Sequence, residues 1–272
     1  ALGVNRLSLG VQSAQEGELR LFRRTHTFAD AVRAVRLARD AGFDNINLDL
    51  IYGIPYQTLE SWQDTLARAI DLAPEHLSLY SLTIEEGTPL HMWVVKGTVP
   101  APDPDLAADA SIIASAQKNE HYEIANWARP GRASRHNLSY WRNEPYLGFG
   151  PGAHGSYGGW RYWNVRKPQD YIARLEAAEA IADFPFSPAL EGREPISREL
   201  EMGETMMLGL RLIQEGAFAD FRRRFGVDLR EVYAQELAHY QALGLIEVNA
   251  ERVRLTRRGR ALGNEVFAAF LP

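Results

Sequence analysis

Residues 45–55, NINLDLIYGIP, decide the fold, because they read as a buried strand that delivers one carboxylate, Asp49, to a turn of glycine and proline. Two further stretches have the same design: residues 5–12, NRLSLGVQ, and residues 76–83, HLSLYSLT. Each of the three runs through apolar residues to a polar side chain. The sequence therefore predicts three strands that end in polar groups.

Helical patterns fill the gaps between these strands, since apolar residues recur at helical spacing within residues 29–38 and within residues 62–70. Near-continuous apolar strands in a β-α-β-α-β order predict a parallel sheet covered by helices, the unit of barrels and of doubly wound folds. In both folds the ligand lies at the carboxyl ends of the strands, where Gln12, Asp49 and Thr83 fall.

Each of these three residues also has a purely structural explanation. Gln12 could cap a turn, Asp49 could be the buried partner of an arginine, and Thr83 could be a β-former. Taken singly, the structural roles are favoured. Taken together, the three polar ends predict a binding site.

Composition excludes several classes of protein. The 272 residues are 46% hydrophobic and 24% charged, with a net charge of -5 and a pI near 5.9, which gives no electrostatic reason to bind nucleic acid or an anionic membrane. No apolar run is long enough for a membrane span and no signal peptide opens the chain, so a soluble, cytoplasmic protein is expected. The chain has no cysteine, which excludes disulfides and thiolate ligands within it.

The middle of the chain is unusual in composition. Three prolines interrupt residues 98–105, and a helix is predicted over 106–117. Residues 122–163 are rich in aromatic residues and glycine, which predicts either an extended β segment or a binding surface. A helix is expected over 168–180, and residues 184–188, FPFSP, are interpreted as a linker at a domain boundary.

The last part of the chain predicts a winged helix. Helices are expected over 198–214, 218–225 and 229–243, and a hairpin of residues 245–248 and 252–256 follows the helix stop at Gly244. Many winged helices bind DNA. From residue 198 onward, however, arginines and acidic residues are equal in number, so the basic excess of a DNA reader is missing.

Five motifs resemble a known family. Residues 10–13 (GVQS), 23–26 (RRTH) and 48–58 (LDLIYGIPYQT) resemble the second half of the radical S-adenosylmethionine (SAM) barrel of the oxygen-independent coproporphyrinogen III oxidase family. Residues 136–141 (HNLSYW) and 146–155 (YLGFGPGAHG) resemble its heme chaperone branch, HemW. The resemblance extends over essentially the whole chain.

The resemblance implies an α/β fold in three parts. Residues 1–120 would be the last three β/α units of a radical SAM partial (β/α)6 TIM-like barrel. Residues 121–187 would be an aromatic and glycine-rich extension, and residues 188–272 a small winged-helix-like α+β domain of the HemN C-terminal type.

The resemblance also implies binding residues for two ligands. Gln12, Arg24 and Asp49 stand at the spacing of the family residues that contact S-adenosylmethionine, and Thr83 is a weaker candidate. Their chemistry is suitable: a carboxylate accepts hydrogen bonds from ribose hydroxyls, a guanidinium pairs with the methionyl carboxylate, and an amide both donates and accepts.

His136 is the candidate heme ligand, because a histidine ring nitrogen can bind heme iron and Tyr140 and Trp141 could pack on a porphyrin face. A structural hydrogen-bonding role is the alternative for this histidine. His154 is a weaker heme candidate. The methionines at 202, 206 and 207 have helical spacing and are expected in the core.

The chain departs from the family in one respect. Family members begin with further residues that carry a cysteine triplet and a glycine-rich turn, and neither is present here. The chain begins at Ala1 without a methionine, so a truncated polypeptide is expected, with an exposed strand edge that the parent would pair. The [4Fe-4S] cluster would belong to the complete parent only, and this fragment alone is predicted to be inactive.

Three functions follow in order of preference. The first is a HemW-like heme chaperone that binds S-adenosylmethionine, a cluster and heme, and hands heme to an acceptor protein in porphyrin metabolism. The second is an oxygen-independent coproporphyrinogen III oxidase, which oxidatively decarboxylates two propionates to vinyl groups. The third is a metabolite-binding α/β protein whose winged-helix tail binds DNA.

Overall fold

The computed structural model describes residues 3–103, 106, 120–178, 183–213 and 218–272. The chain divides into two units, Ala1–Ala133 and Ser134–Pro272. The sequence-based domain limits at 120 and 187 stay predictions. Most of the helix predicted over 106–117 lies outside the described residues.

A five-stranded sheet forms the centre of the first unit. Its strands stand in the order β1-β2-β3-β5-β4, with β1, β2 and β3 parallel and β5 antiparallel to both β3 and β4. The predicted β-α-β-α-β order is thus confirmed, and β1 forms one edge of the sheet. The elements are β1 (Leu7–Gln12), α1 (Glu16–Leu21), α2 (Phe28–Asp40), β2 (Ile46–Tyr52), α3 (Leu59–Asp71), β3 (His76–Ser81), α4 (Pro89–Val95), β4 (Glu120–Glu123) and β5 (Asn126–Ala128).

The three parallel strands have one apolar and one polar face, which corrects the expectation of near-continuous apolar strands. Successive residues of a strand point to opposite faces, and the sequence alternates accordingly. Leucines such as Leu48 and Leu77 are buried against α2 and α3, around Trp62. On the other face the register aligns polar residues: Ser8 with Asn47, Asn47 with His76, Gly10 with Asp49, and Asp49 with Ser78.

Capping boxes fix where the two covering helices begin. Thr27 precedes α2 and exchanges hydrogen bonds with Asp30, and Thr58 precedes α3 and exchanges them with Ser61. Each box satisfies donors that a helix start leaves without partners. Both helices therefore start at defined positions, α2 after the loop that follows α1 and α3 after the loop that follows β2.

The second unit combines a three-stranded antiparallel sheet with helices and a small hairpin. The sheet has the order β6-β7-β8, and β9 pairs with β10. Its elements are α5 (Arg135–Trp141), β6 (His154–Tyr157), β7 (Trp160–Asn164), α6 (Pro168–Glu176), β8 (Leu190–Pro195), α7 (Arg198–Gly209), α8 (Phe218–Phe225), α9 (Leu229–Val232), α10 (Ala234–Ala242), β9 (Ile246–Val248), β10 (Val253–Leu255), α11 (Arg257–Ala261) and α12 (Gly263–Ala268).

Several predicted elements differ in length from the structure. The aromatic section supplies β6 and β7, joined by Gly158 and Gly159 in the left-handed region, so the extended β interpretation is correct there, whereas Arg135–Trp141 of the same section form the helix α5. The strand β8 pairs with β7 from beyond the predicted limit at 187. The helix predicted over 229–243 is interrupted at Tyr233, whose backbone angles leave the helical region, with φ -116 and ψ 33.

The rest of the second unit follows the predicted order. The helix α8 has the predicted bounds, and Gly244, at φ 68, ends the helical segment before the hairpin. The helix α7 ends at Gly209, whereas residue 214 lies outside the described part. Met206 is buried as expected, and Met202 and Met207 are half-buried. The winged-helix interpretation of these elements stays a prediction.

Candidate functional site

Asp49 lies in the middle of β2, not at the strand end where the sequence analysis placed it. The Ser8 hydroxyl donates to its Oδ2 at 3.0 Å, and Asn47 Nδ2 donates to its Oδ1 at 2.8 Å. Among the described residues Asp49 forms no ion pair with an arginine, which removes that structural explanation. The carboxylate is half-buried on the polar face of the sheet.

A buried polar row extends from Asp49 across the sheet. Asn47 Nδ2 also lies 2.7 Å from Ser8 Oγ, and Asn47 Oδ1 lies 3.2 Å from the hydroxyl of Ser78. The two ring nitrogens of His76 contact Asn47 Oδ1 at 2.6 Å and the Tyr122 hydroxyl at 2.8 Å. Buried polar groups are stable when hydrogen-bonded, and this row joins residues of four strands, β1, β2, β3 and β4.

His76 is fully buried, and burial lowers its pKa to about 3, with a further contribution from the Arg6 guanidinium. Removing the ring from water disfavours the charged imidazolium. His76 is therefore neutral in the folded protein at physiological pH, with one ring nitrogen as donor and the other as acceptor.

Gln12 ends β1 as predicted, in an unusual backbone conformation. Its φ is 67, in the left-handed region that residues other than glycine seldom adopt. The strand bulges between Gly10 and Gln12, and the Gln12 side chain folds back over Gly10, where an added Cβ would lie 2.8 Å from its Nε2. The residue is 9% exposed, and its side chain forms no hydrogen bond with the described residues.

A second buried network holds the loops that follow β1 and β2. The Glu18 carboxylate accepts from Ser13 Oγ at 2.5 Å, from Gln57 Nε2 at 3.1 Å and from Ser61 Oγ at 3.2 Å. Gln57 Oε1 in turn accepts from the Gly53 amide at 2.8 Å. The glycine and proline turn at 53–55 is thus held by the side chain of Gln57, which is itself held by Glu18 of α1.

Arg24 and Thr83 are exposed, and neither forms a hydrogen bond with Asp49 or Gln12 within the described residues. Arg24 also lacks an ion-pair partner there, whereas the adjacent Arg23 packs on the Trp93 ring at 5.0 Å. Thr83 follows β3 by two residues. The structure thus brings Gln12 and Asp49 together on neighbouring strands and leaves Arg24 and Thr83 on loops.

His136 is exposed in the first turn of α5, in the second unit. Its ring meets the Tyr140 ring edge to face at 4.9 Å, and Tyr140 meets Tyr146 at 4.8 Å. Neither ring nitrogen of His136 has a hydrogen-bond partner in the described part of the chain. Trp141 is less available than expected, because the Arg211 guanidinium lies over its ring at 4.4 Å.

His154 begins β6 and stacks on Trp163 at 5.9 Å. The loop before it is held by Asn164, whose Nδ2 donates to the carbonyl of Gly150 at 3.1 Å, and by the Tyr171 hydroxyl, which accepts from the Gly150 amide at 3.2 Å. Phe149 at the loop tip is 83% exposed. The loop is therefore anchored at its base while its aromatic tip stays in solvent.

The second unit also contains a largely apolar cleft of about 470 Å³. Trp141, Met206, Leu210 and Phe221 contribute to its wall. Neither candidate heme histidine lines it. In the part of the chain that the structure describes, no helix is long and apolar enough to cross a membrane, and no cluster of histidine and acidic residues could hold a metal ion.

The sequence analysis missed four residues of the polar face: Ser8, Asn47, His76 and Ser78. The signal was present, because apolar and polar residues alternate along all three strands with a period of two. The prediction rested on the residues at the strand ends and did not use this alternation.

Two families match parts of the chain. Residues 1–69 match the radical SAM superfamily, and residues 196–262 match the HemN C-terminal domain. Among solved structures, coproporphyrinogen III oxidase (HemN) from Escherichia coli, described as a radical SAM enzyme, superposes with a TM-score of 0.77 over 98% of this chain and 64% of that chain. At 21% identity this likeness shows a common mixed α/β fold and no more.

Full-length relatives are more similar in sequence. The heme chaperone HemW of Bacillus subtilis (strain 168) is 38% identical over 273 residues, which are 99% of this chain and 70% of that protein. The heme chaperone HemW of Escherichia coli (strain K12) is 33% identical over 275 residues, 99% of this chain and 69% of that protein. The chain belongs to the HemW family of radical SAM proteins.

Proposed function

We propose that this chain supplies the S-adenosylmethionine-binding and heme-binding residues of a HemW-like heme chaperone. The family membership supports the general role. The polar face of the first unit supports the more specific statement, because it presents an oriented carboxylate, Asp49, beside a buried amide, Gln12.

Asp49 is the observation that carries the proposal. Each of its oxygens accepts one hydrogen bond from the sheet and retains a second acceptor position. Two acceptors on one carboxylate match the two hydroxyls of a ribose. Gln12 lies on the next strand with an amide that no described residue uses, and it would contact the ribose or the amino acid of the ligand.

Arg24 would bind the other end of the same ligand. Its guanidinium is exposed and forms no ion pair within the described residues, so it is available for a bidentate bond to the methionyl carboxylate. S-adenosylmethionine, when bound, supplies a sulfonium whose carbon–sulfur bond a one-electron reductant can cleave. Thr83 would line the same end of the sheet.

The residues present do not fit an iron–sulfur cluster. Thiolates hold such clusters, and the chain contains no cysteine. No step of the mechanism is therefore assigned to a cluster on these 272 residues.

His136 would bind heme. An exposed imidazole with no hydrogen-bonded partner in the described chain could donate a ring nitrogen to heme iron, and Tyr140 restricts its orientation through the edge-to-face contact. Heme would then pass to an acceptor protein. Since Arg211 covers one face of Trp141, we assign the contact with the porphyrin to Tyr140 and Tyr146 instead.

Paired substitutions in the full-length protein test the two sites. Asp49→Ala should weaken S-adenosylmethionine binding at least tenfold, because a charged hydrogen-bond acceptor is lost, and leave heme binding unchanged. His136→Ala should do the reverse. Equilibrium dialysis with labelled S-adenosylmethionine and heme titration by absorbance measure both affinities.

Two matched substitutions serve as controls. Asp44→Ala removes a carboxylate that is 78% exposed and paired with Arg132. His239→Ala removes an exposed helical histidine whose ring meets Tyr240 edge to face at 5.0 Å, much as His136 meets Tyr140. Neither should change either affinity. Parallel loss of both ligands in Asp49→Ala or His136→Ala would indicate misfolding and would reject the assignment.

Coproporphyrinogen III oxidation is the second candidate, favoured by the HemN C-terminal match and by the fold shared with that enzyme. The HNLSYW motif at 136–141 speaks for the chaperone. Turnover of coproporphyrinogen III to the divinyl product by the full-length protein would reverse the order of the two candidates.

A further inference from the structure

The hydrogen bonds that link Asp49, Asn47 and His76 allow only one assignment of donors and acceptors. A carboxylate accepts and does not donate, so Asn47 must present its Nδ2 to Asp49. The Asn47 Oδ1 on the opposite side then accepts, and His76 must donate to it from Nδ1. The His76 Nε2 carries the lone pair and accepts from the Tyr122 hydroxyl.

This row fixes the Asn47 amide from both ends. Asn47 and His76 are buried, so water cannot replace a lost partner. If the Asn47 amide turned over, its oxygen would face the oxygen of Asp49, and both the donor to the carboxylate and the acceptor for His76 would be lost. Ser8 holds the other oxygen of Asp49 from β1.

We propose that His76 and Asn47 are positioning residues, which hold the Asp49 carboxylate so that its two free acceptor positions meet the two ribose hydroxyls of S-adenosylmethionine. This inference rests on the proposed function of Asp49. His76 itself touches no ligand and acts through Asn47. Its role is to select one orientation of the amide, and thereby of the carboxylate.

Ribose selectivity distinguishes positioning from general stability. The full-length protein is tested with S-adenosylmethionine, with 5′-deoxy-5′-methylthioadenosine, and with the 3′-deoxy analogue of the latter, which lacks one hydroxyl. A correctly oriented Asp49 favours the intact diol. The ratio of the two nucleoside affinities therefore reports the orientation, and a loss of folded protein lowers both affinities without changing their ratio.

Two substitutions at His76 separate its hydrogen bond from its volume. His76→Leu fills the buried space but removes the donor to Asn47, and we expect S-adenosylmethionine affinity to fall about tenfold, with the selectivity ratio approaching one. His76→Gln keeps an N–H that can donate to Asn47 Oδ1, so affinity and ratio should return toward the wild-type values.

Leu77→Val is the matched control. Leu77 is the next residue of β3 and is buried on the opposite, apolar face of the sheet. Shortening it should lower the stability of the protein and leave the selectivity ratio unchanged. A change in the ratio for Leu77→Val equal to that for His76→Leu would overturn the positioning role.

The wild-type protein provides a test that needs no substitution. A long-range 1H–15N spectrum of the histidine rings identifies the tautomer, and the proposal requires the proton of His76 on Nδ1. A proton on Nε2 would overturn it, whatever the behaviour of the variants.

The outcomes also separate this inference from the proposed function. If Asp49→Ala keeps wild-type affinity, the function assigned to Asp49 fails, and the positioning role fails with it. If Asp49→Ala loses the ligand while folded His76→Leu keeps both affinity and selectivity, only the positioning role fails.

Discussion

The side-chain amide of Gln12 packs directly against Gly10, which has no side chain there. A Cβ there would approach Gln12 Nε2 to 2.8 Å, so Gly10→Ala should displace the flexible end of that side chain. We expect S-adenosylmethionine affinity to fall about fivefold, the size of one modest hydrogen bond. The free energy of unfolding should change by less than about 1 kcal/mol, because only a side chain moves.

Gly17→Ala is the control for this substitution. A Cβ at Gly17, inside α1, meets no atom within 4 Å. Alanine should raise helix stability by about 0.5–1 kcal/mol and leave ligand affinity unchanged. Equal affinities for Gly10→Ala and wild type in equilibrium dialysis would contradict the assigned role of Gln12.

At the scale of single residues, the sequence placed Gln12 correctly at the end of β1 but placed Asp49 at a strand end instead of in the middle of β2, and it missed the groups that hold Asp49. The backbone conformation of Gln12 could not be read from residue types, because left-handed angles are rare outside glycine. The partners of Asp49 are Ser8 on the neighbouring strand β1 and Asn47 on its own strand, and the cross-strand pairing depends on a register that one sequence does not specify.

At the scale of elements, the six-residue helix α1 fixes two loops through one side chain. Glu18 accepts hydrogen bonds from three side chains, and Glu18→Gln replaces one acceptor oxygen with a donor. Turned one way, the new amide removes the acceptor of Ser13 and Gln57. Turned the other way, it faces the half-buried Ser61 hydroxyl, which also lies 3.0 Å from the Thr58 carbonyl, and the bonds from Ser13 and Gln57 are no longer charge-assisted. We expect the free energy of unfolding to fall by about 1–3 kcal/mol, measured by urea denaturation.

Glu16→Gln gives the comparison within the same helix. Glu16 is exposed, and among the described residues its one ion-pair partner is Arg20, at 3.2 Å, so its loss should change stability by less than about 0.5 kcal/mol. Equal denaturation midpoints for the two variants would show that the buried network contributes nothing measurable.

Element order was predictable, whereas element ends were less so. The helices α2 and α3 begin at threonine capping boxes that sequence alone can indicate. The interruption at Tyr233 has no glycine or proline to signal it. The nearby N-cap, Asp228, accepts from the Arg230 amide and begins the short α9.

At the scale of the whole molecule, His76 links folding to pH. Its pKa is about 3 in the folded protein and near 6.5 in the unfolded chain, so only the unfolded chain binds a proton between these values. The stabilisation that His76 contributes to the folded state is fully present above pH 6.5. It falls by about 1.4 kcal/mol per pH unit as the pH drops from 6.5 toward 3.

Urea denaturation at several pH values checks this linkage. His76→Leu should lose the slope that one histidine contributes between pH 6.5 and 4, whereas the exposed His239→Ala should keep it. Identical slopes in wild type and His76→Leu would mean that His76 is protonated in the folded protein.

The general class of the fold was accessible from sequence because three strands and two helices have clear periodicities. The division of the chain between Ala133 and Ser134 was not, since Pro130 and Gly131 just before it indicate a turn but not a change of unit. The predicted boundary at 184–188 instead falls before β8, which completes the sheet of the second unit. Local composition indicates a turn there but not the pairing that follows it.

The backbone at Gln12 has one more consequence, for the evolution and engineering of the protein. A left-handed conformation costs a residue with a side chain about 1 kcal/mol or more, and glycine would avoid that cost. Gln12→Gly should thus raise the stability of the folded protein and lower its affinity for S-adenosylmethionine. Selection for thermal stability alone should therefore favour glycine at position 12, and this one residue would show a trade-off between stability and function.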